Sequence, residues 1–285
     1  MAITKRNISD DIINLLTRFK LTDDSRFATI DQWLSWKIDQ VRAQLIIKQY
    51  NETGVLDNSW LTDLGLVGFH EVNFADDPNV TYCKCDISKT FIPSVVELAS
   101  PSGGNPDLGL YSIISTCGKN EYYSYPMTTW RNIPSEHTRS KFHYYQRKNT
   151  ELYVNKKVQN LLITAILNNP AEGYIISSTP VTTIATGTTY IVKFNQIVYN
   201  GTVYRPDDTF VGVASATTFS GTGKVVLQDQ LTALDETQPY PVSGDMARMI
   251  TLEILTKEFG IESKQITDIQ NDSADDEQKS EAGNR

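Results

Sequence analysis

The chain predicts an α+β protein: N-terminal helices and a C-terminal helix packed with an antiparallel β core, plus a small all-β insertion module. Three observations predict it. Apolar residues recur at helical spacing near both ends of the chain, and they alternate with period two through the middle. Between Ala171 and Leu227 the composition then shifts toward Thr, Val, Ile, Tyr and Gly, residues that suit short strands and tight turns. The division expected from this is 1–170 with 228–261 as the core, 171–227 as the β insertion, and 262–285 as an acidic, flexible tail.

The elements follow in order. Ile8 to Lys20 reads as a short helix with Ile12, Ile13, Leu15 and Leu16 as its apolar content. A stronger helix opens on Thr29-Ile30-Asp31-Gln32, which fits a capping box, and Gly54 is its natural stop. Ile30, Trp33, Leu34, Ile38, Val41, Leu45 and Ile46 recur at helical spacing between them. Asp31, Lys37, Asp39, Arg42 and Lys48 fall on the other face, which is expected to be solvated or partner-facing.

Leu66 to Phe74, Val80 to Cys85 and Leu110 to Thr116 alternate as strands do. Phe142–Gln146 and Leu152–Asn155 flank Arg147-Lys148-Asn149-Thr150 as a hairpin. The apolar run Val158–Leu167 suits a helix or a buried strand, and its close at Asn168-Asn169-Pro170 favours the strand. In the insertion, Tyr190–Phe194, Gln196–Tyr199, Thr202–Tyr204, Phe210–Val213 and Lys224–Leu227 are strands of a small barrel or sandwich. Asn200-Gly201 is its clearest hairpin turn. Pro239 and Pro241 close the β module, and Ser243 caps a last helix on Met246, Met249, Ile250, Ile254 and Leu255 that stops at Gly260.

Composition excludes some functions. Against 26 Lys and Arg stand 34 Asp and Glu, a net charge of −8, which argues against a whole-surface grip on nucleic acid. No apolar run approaches the roughly 18 residues of a membrane span, and the first ten residues carry no apolar core of a secretory signal. Cys83, Cys85 and Cys117 are odd in number and lack framework spacing, so a reducing, cytoplasmic folding compartment is expected.

Motifs for chemistry are weak. Cys83-x-Cys85 with Cys117 and His70 lacks the usual metal-ligand spacing and suits burial in a strand instead. His137 and His143 lie near Glu136 and Arg139, but no nucleophile stands at a recognisable spacing. Gly221-Thr222-Gly223-Lys224 lacks Walker spacing and precedes a strand, so a β-turn is the better reading. The expectation is a protein without catalysis, cofactor or metal. Tyr122, Tyr123, Tyr125 and Trp130 with Arg131, Arg139, Lys141, Tyr144, Tyr145, Arg147 and Lys148 form the most basic and aromatic stretch. It suits interface anchors, stacking on nucleic acid, or a half-buried sheet.

Three passages resemble the neck and ring proteins of crAss-like tailed bacteriophages. They are the strand–turn–strand Lys141–Val154, the strand Leu161–Glu172 with its Asn168-Asn169-Pro170 close, and the Pro-rich lead Gln238–Ile250 into the final helix. The family pattern is interrupted at Ala171–Leu227, an insert that resembles a decoration on the outside of a ring. The resemblance implies a head-to-tail connector: a homo-oligomeric, dodecameric ring in the virion neck, assembled in the host cytoplasm. Its partners would be the portal protein and neighbouring neck or tail rings, with non-specific proximity to genomic DNA and no membrane. Trp33, Trp36, Lys37, Arg42, Lys48, Tyr144, Arg147 and Lys148 are the candidate subunit or portal interface residues. The alternative is a virion or cell-surface glycan-binding module, with Tyr190, Phe194, Tyr199 and Tyr204 of the insert as stacking faces.

Overall fold

A computed structural model describes residues 3–18, 27–72, 87–98, 107–125, 143–173, 185–193, 197–199, 201–205, 208–212, 220–221, 224–227 and 238–261. The expected strand Val80–Cys85, His137 with Glu136 and Arg139, and the acidic tail lie outside these residues, whereas His143 lies within them. The architecture is mixed α+β. The chain divides into two compact units: Met1–Ile46 with Gln238–Arg285, and Ile47–Thr237.

The first unit is helical and built from two separated segments. Helix α1 (Lys5–Arg18) buries Ile8, Ile12 and Leu16, an i, i+4 stripe that lies on one face. Thr4 and Asn7 cap it reciprocally: Thr4 N–H donates to Asn7 Oδ1 at 2.9 Å, and Asn7 N–H donates to Thr4 Oγ1 at 3.2 Å. Helix α2 (Phe27–Thr53) starts ahead of the expected capping box, so Thr29 lies inside the helix and not at its cap. A cap contributes only about 1 kcal/mol, and nothing in Phe27-Ala28 breaks the helical run, so continuation wins. The helix ends at Gly54, whose φ is 67° and whose N–H donates to Tyr50 O at 2.7 Å.

Helix α3 (Gly244–Phe259) is bounded as its residues require. Ser243 Oγ accepts from Met246 N–H at 3.2 Å, Asp245 sits in the first turn, and Gly260 takes φ 67° beyond the end. Its buried stripe is Met246, Ile250, Ile254 and Leu255, whereas Met249 is exposed. Ser243→Ala is expected to cost about 1 kcal/mol in chemical unfolding. An unchanged midpoint would show that the hydroxyl does not hold this end. The segment before α3 joins the one before α1: Tyr240 N–H donates to Ile3 O at 2.7 Å, and Thr4 bridges Pro239.

In the second unit, strands β1 (Thr62–Gly68), β8 (Asn160–Ala165) and β4 (Leu110–Ser115) form one sheet with β8 central. A second sheet runs β2 (His70–Glu71), β3 (Ser88–Phe91), β7 (Glu151–Val154), β6 (Tyr144–Lys148), β5 (Tyr123–Ser124). Its β5–β6 pair is parallel; the other named pairs in both sheets are antiparallel. Both sheets contribute to one core that includes Leu64, Phe69, Ile113, Leu152, Val154, Leu161 and Ile163. The β6–β7 turn is shorter than expected. Lys148 pairs with Glu151, so Arg147 and Lys148 belong to the strand, and Asn149 takes the left-handed conformation at φ 55° that Asn tolerates.

The insertion holds strands β9 (Thr189–Lys193), β10 (Ile197–Tyr199), β11 (Thr202–Tyr204), β12 (Thr209–Val211), β13 (Ser220–Gly221) and β14 (Lys224–Leu227). They form two three-stranded sheets, β11-β10-β13 and β12-β9-β14, with no barrel among the described residues. Tyr199 pairs with Thr202 across the expected turn, where Gly201 has φ 76°. Tyr190, Val192, Ile197, Tyr199, Phe210 and Val225 make a core of its own.

Candidate functional site

Two of the charged residues of α2, Asp39 and Arg42, are placed unlike the expected solvated or partner-facing side. Arg42 is wholly buried: its Nε donates to Pro241 O at 3.1 Å, and its guanidinium lies 5.6 Å from the Tyr240 ring centre. Asp39 accepts from Lys5 Nζ and from Tyr240 O–H, at 2.8 and 2.7 Å, and its side chain is mostly buried. The reason is distant in sequence. Tyr240 and Pro241 cover this face, so Asp39 and Arg42 serve internal packing.

Trp33, Trp36 and Lys37 are brought together beside the end of α3. Trp33 packs edge-on against Phe259 at 6.0 Å, and Lys37 pairs with Glu258 at 2.7 Å. Trp36 is 60% exposed with the Lys37 ammonium 5.9 Å from its ring centre, which leaves a large apolar face open to a partner. Lys48 is exposed further along α2.

On the β unit, Arg147 is satisfied internally. Its Nε donates to both Asp107 carboxylate oxygens at 3.0 Å and an Nη donates to Asn149 O at 2.9 Å. Its side chain is only 12% exposed, so it is poorly placed to bind phosphate. The Lys148 ammonium lies 5.8 Å from the Tyr153 ring centre. Tyr144 stacks on Tyr125 at 5.0 Å, and burial followed by the neighbouring Tyr125 raises its phenol pKa. Tyr123 projects outward with its O–H donating to Glu121 at 3.3 Å.

One surface had not been expected. Along the three-stranded sheet, Leu66 pairs with Leu162 and Leu162 with Ile114, so the three side chains form one row. Leu161, Ile163 and Val67 face the core, yet Leu66 and Leu162 remain exposed and Ile114 half-buried. The sequence signal is the unbroken run Leu161-Leu162-Ile163: a strand apolar on both faces is normally covered on both. Tyr111, at a bulge in β4, and Tyr123 flank a cleft of about 260 Å³ in the same unit and are also exposed.

Of the aromatics expected as glycan-stacking faces, Tyr190 and Tyr199 pack inside the insertion's own core and Tyr204 is half-buried against it. Tyr190 and Tyr199 are buried, Phe210 lies 5.4 and 4.8 Å from their rings, and Tyr204 packs against it at 5.0 Å. Phe194 lies outside the described residues. Cys117 is exposed, with its thiol pKa lowered by a hydrogen bond with Ser115 at 3.3 Å. Cys83 and Cys85 lie outside the described residues. Among the described residues no group of three or more His, Cys, Asp or Glu side chains is placed to hold a metal ion, and no helix is long and apolar enough to cross a membrane. Comparison with protein-family models and with characterised proteins matches no family and no relative.

Proposed function

We propose that this chain is a virion structural protein that forms a ring in the neck of a tailed phage. It joins the portal protein to the tail and surrounds the DNA channel as a homo-oligomer. The observation that carries this reading is the apolar row Leu66–Leu162–Ile114, exposed at Leu66 and Leu162, on a sheet whose other face is already core. Contiguous exposed apolar surface on a folded chain marks interaction sites, and repeated head-to-tail contacts of one such patch close into rings. Trp36 adds an anchor on the helical unit, and the resemblance of Lys141–Val154, Leu161–Glu172 and Gln238–Ile250 to ring proteins supports the same reading. A net charge of −8 suits a channel through which DNA slides without being held.

The test is the mass of the purified protein, alone and mixed with its portal protein, with particle images of the product. A ring of uniform stoichiometry is expected, and Leu66→Asp, at the most exposed side chain of the row on an edge strand, should abolish it while changing the unfolding free energy by only about 1 kcal/mol. A wild-type protein that stays monomeric and does not bind the portal would overturn the reading.

A further inference from the structure

At one end of the two-sheet unit lies a cleft of about 440 Å³. It is formed by the turn after β4, the residue before β6, the β7–β8 connection and the start of β8. Its polar lining includes His143, Lys156, Lys157, Asn120, Gln159 and Asn160, and no carboxylate is among its described lining residues. The backbone places the first two opposite each other. Tyr144 N–H donates to Asn155 Oδ1 at 2.7 Å and Asn155 N–H donates to Tyr144 O at 3.0 Å, so the adjoining His143 and Lys156 flank a fixed pair.

The ring of His143 is held edge-on to buried Tyr122 at 5.0 Å. Burial and the Lys156 charge push its imidazole pKa below its ordinary value. Burial pushes the Tyr122 phenol up to about 12, which keeps it uncharged. Lys157 pairs with Glu71 at 2.6 Å, leaving its charge partly offset on the rim.

We propose that this cleft binds a phosphoryl oxyanion, free or as a phosphoester, between His143 and Lys156, with the neighbouring carboxamides donating to its remaining oxygens. The chemistry is that of charge-assisted hydrogen bonds, and a bound dianion would favour the protonated imidazole that Lys156 and burial now disfavour. The inference does not depend on ring formation and holds for the isolated chain.

The experiment follows the imidazole resonances of the full chain by NMR at constant ionic strength. The three histidines are distinguished with His143→Gln. Inorganic phosphate is titrated in, and separately a short oligothymidylate without terminal phosphate. Phosphate should move the His143 resonance saturably; Lys156→Gln should weaken the response at least tenfold, and Lys156→Arg should restore most of it. A His143 response to the oligonucleotide that competes with phosphate assigns the site to a phosphodiester backbone. Response to phosphate alone assigns it to the free anion. No response to either, or an equal response in folded Lys156→Gln, overturns the proposal.

Discussion

Replacing Asp39 with alanine is expected to destabilise the protein by about 3–5 kcal/mol, read from the midpoint of chemical unfolding. Asp39 receives Lys5 Nζ at 2.8 Å and Tyr240 O–H at 2.7 Å, with the Lys5 side chain only 5% exposed. Removing the carboxylate takes this counter-charge from a buried ammonium and this acceptor from a phenol, and the lost ion pair dominates the cost. The double variant Lys5→Met, Asp39→Asn separates this from a packing defect. It removes both charges and keeps an oxygen for Tyr240, so most of the loss should return, to within about 1–2 kcal/mol of wild type. Equal destabilisation in the single and double variants would show that shape, not charge, is what Asp39 supplies.

The second large effect is at Gly109. A Cβ built there stands 2.1 Å from Val96 O and 3.3 Å from Val95 Cγ2. The obstacle is backbone, held by Val96 N–H donating to Ile166 O and Ile166 N–H donating to Gly109 O, each at 2.8 Å. A methyl group cannot enter without parting these strands, and their neighbours Val95, Leu110 and Ile166 are core. Gly109→Ala should therefore cost about 3 kcal/mol or more. Gly118→Ala is the comparison: that site has φ 71° in a turn with nothing near its Cβ, and only the backbone penalty of about 1–2 kcal/mol applies. Reversal of the order would mean that the close approach at Gly109 relaxes freely.

What the residues alone disclosed were the local decisions. Gly54, Gly201 and Gly260 each end an element in the left-handed region, and Ser243 caps α3, because these choices depend on a few adjacent atoms. The alternation in Leu110–Ser115 was legible for the same reason, whereas the apolar run at Asn160–Ala165 suited helix and strand alike and only its Pro170 close favoured the strand that forms. Arg42 was not, since the atoms that bury it belong to Tyr240 and Pro241, far along the chain. Nor was the fate of Arg147, whose partner Asp107 comes from a loop that no periodicity marks. The surface carrying the proposed function was half legible. The run Leu161-Leu162-Ile163 showed that both faces of β8 are apolar, but only the register with Leu66 and Ile114 shows that the outward side chains form one row. The His143 cleft joins four stretches that share no motif, and only folding brings them to one place.

The helical unit has a consequence for how the protein is made. Its two segments are separated by the whole of Ile47–Thr237. At ribosomal rates of about 5–20 residues per second, α1 and the first part of α2 emerge on the order of ten seconds or more before Tyr240 and Pro241. Through that interval Arg42 lacks its Pro241 acceptor and Asp39 lacks the Tyr240 phenol. The intervening unit has its own core and emerges in full before the late segment does. Translation therefore imposes an order, β unit before helical unit. A nascent chain stalled ahead of Pro239 presents an unfinished helical face, the state in which a holding chaperone would find it.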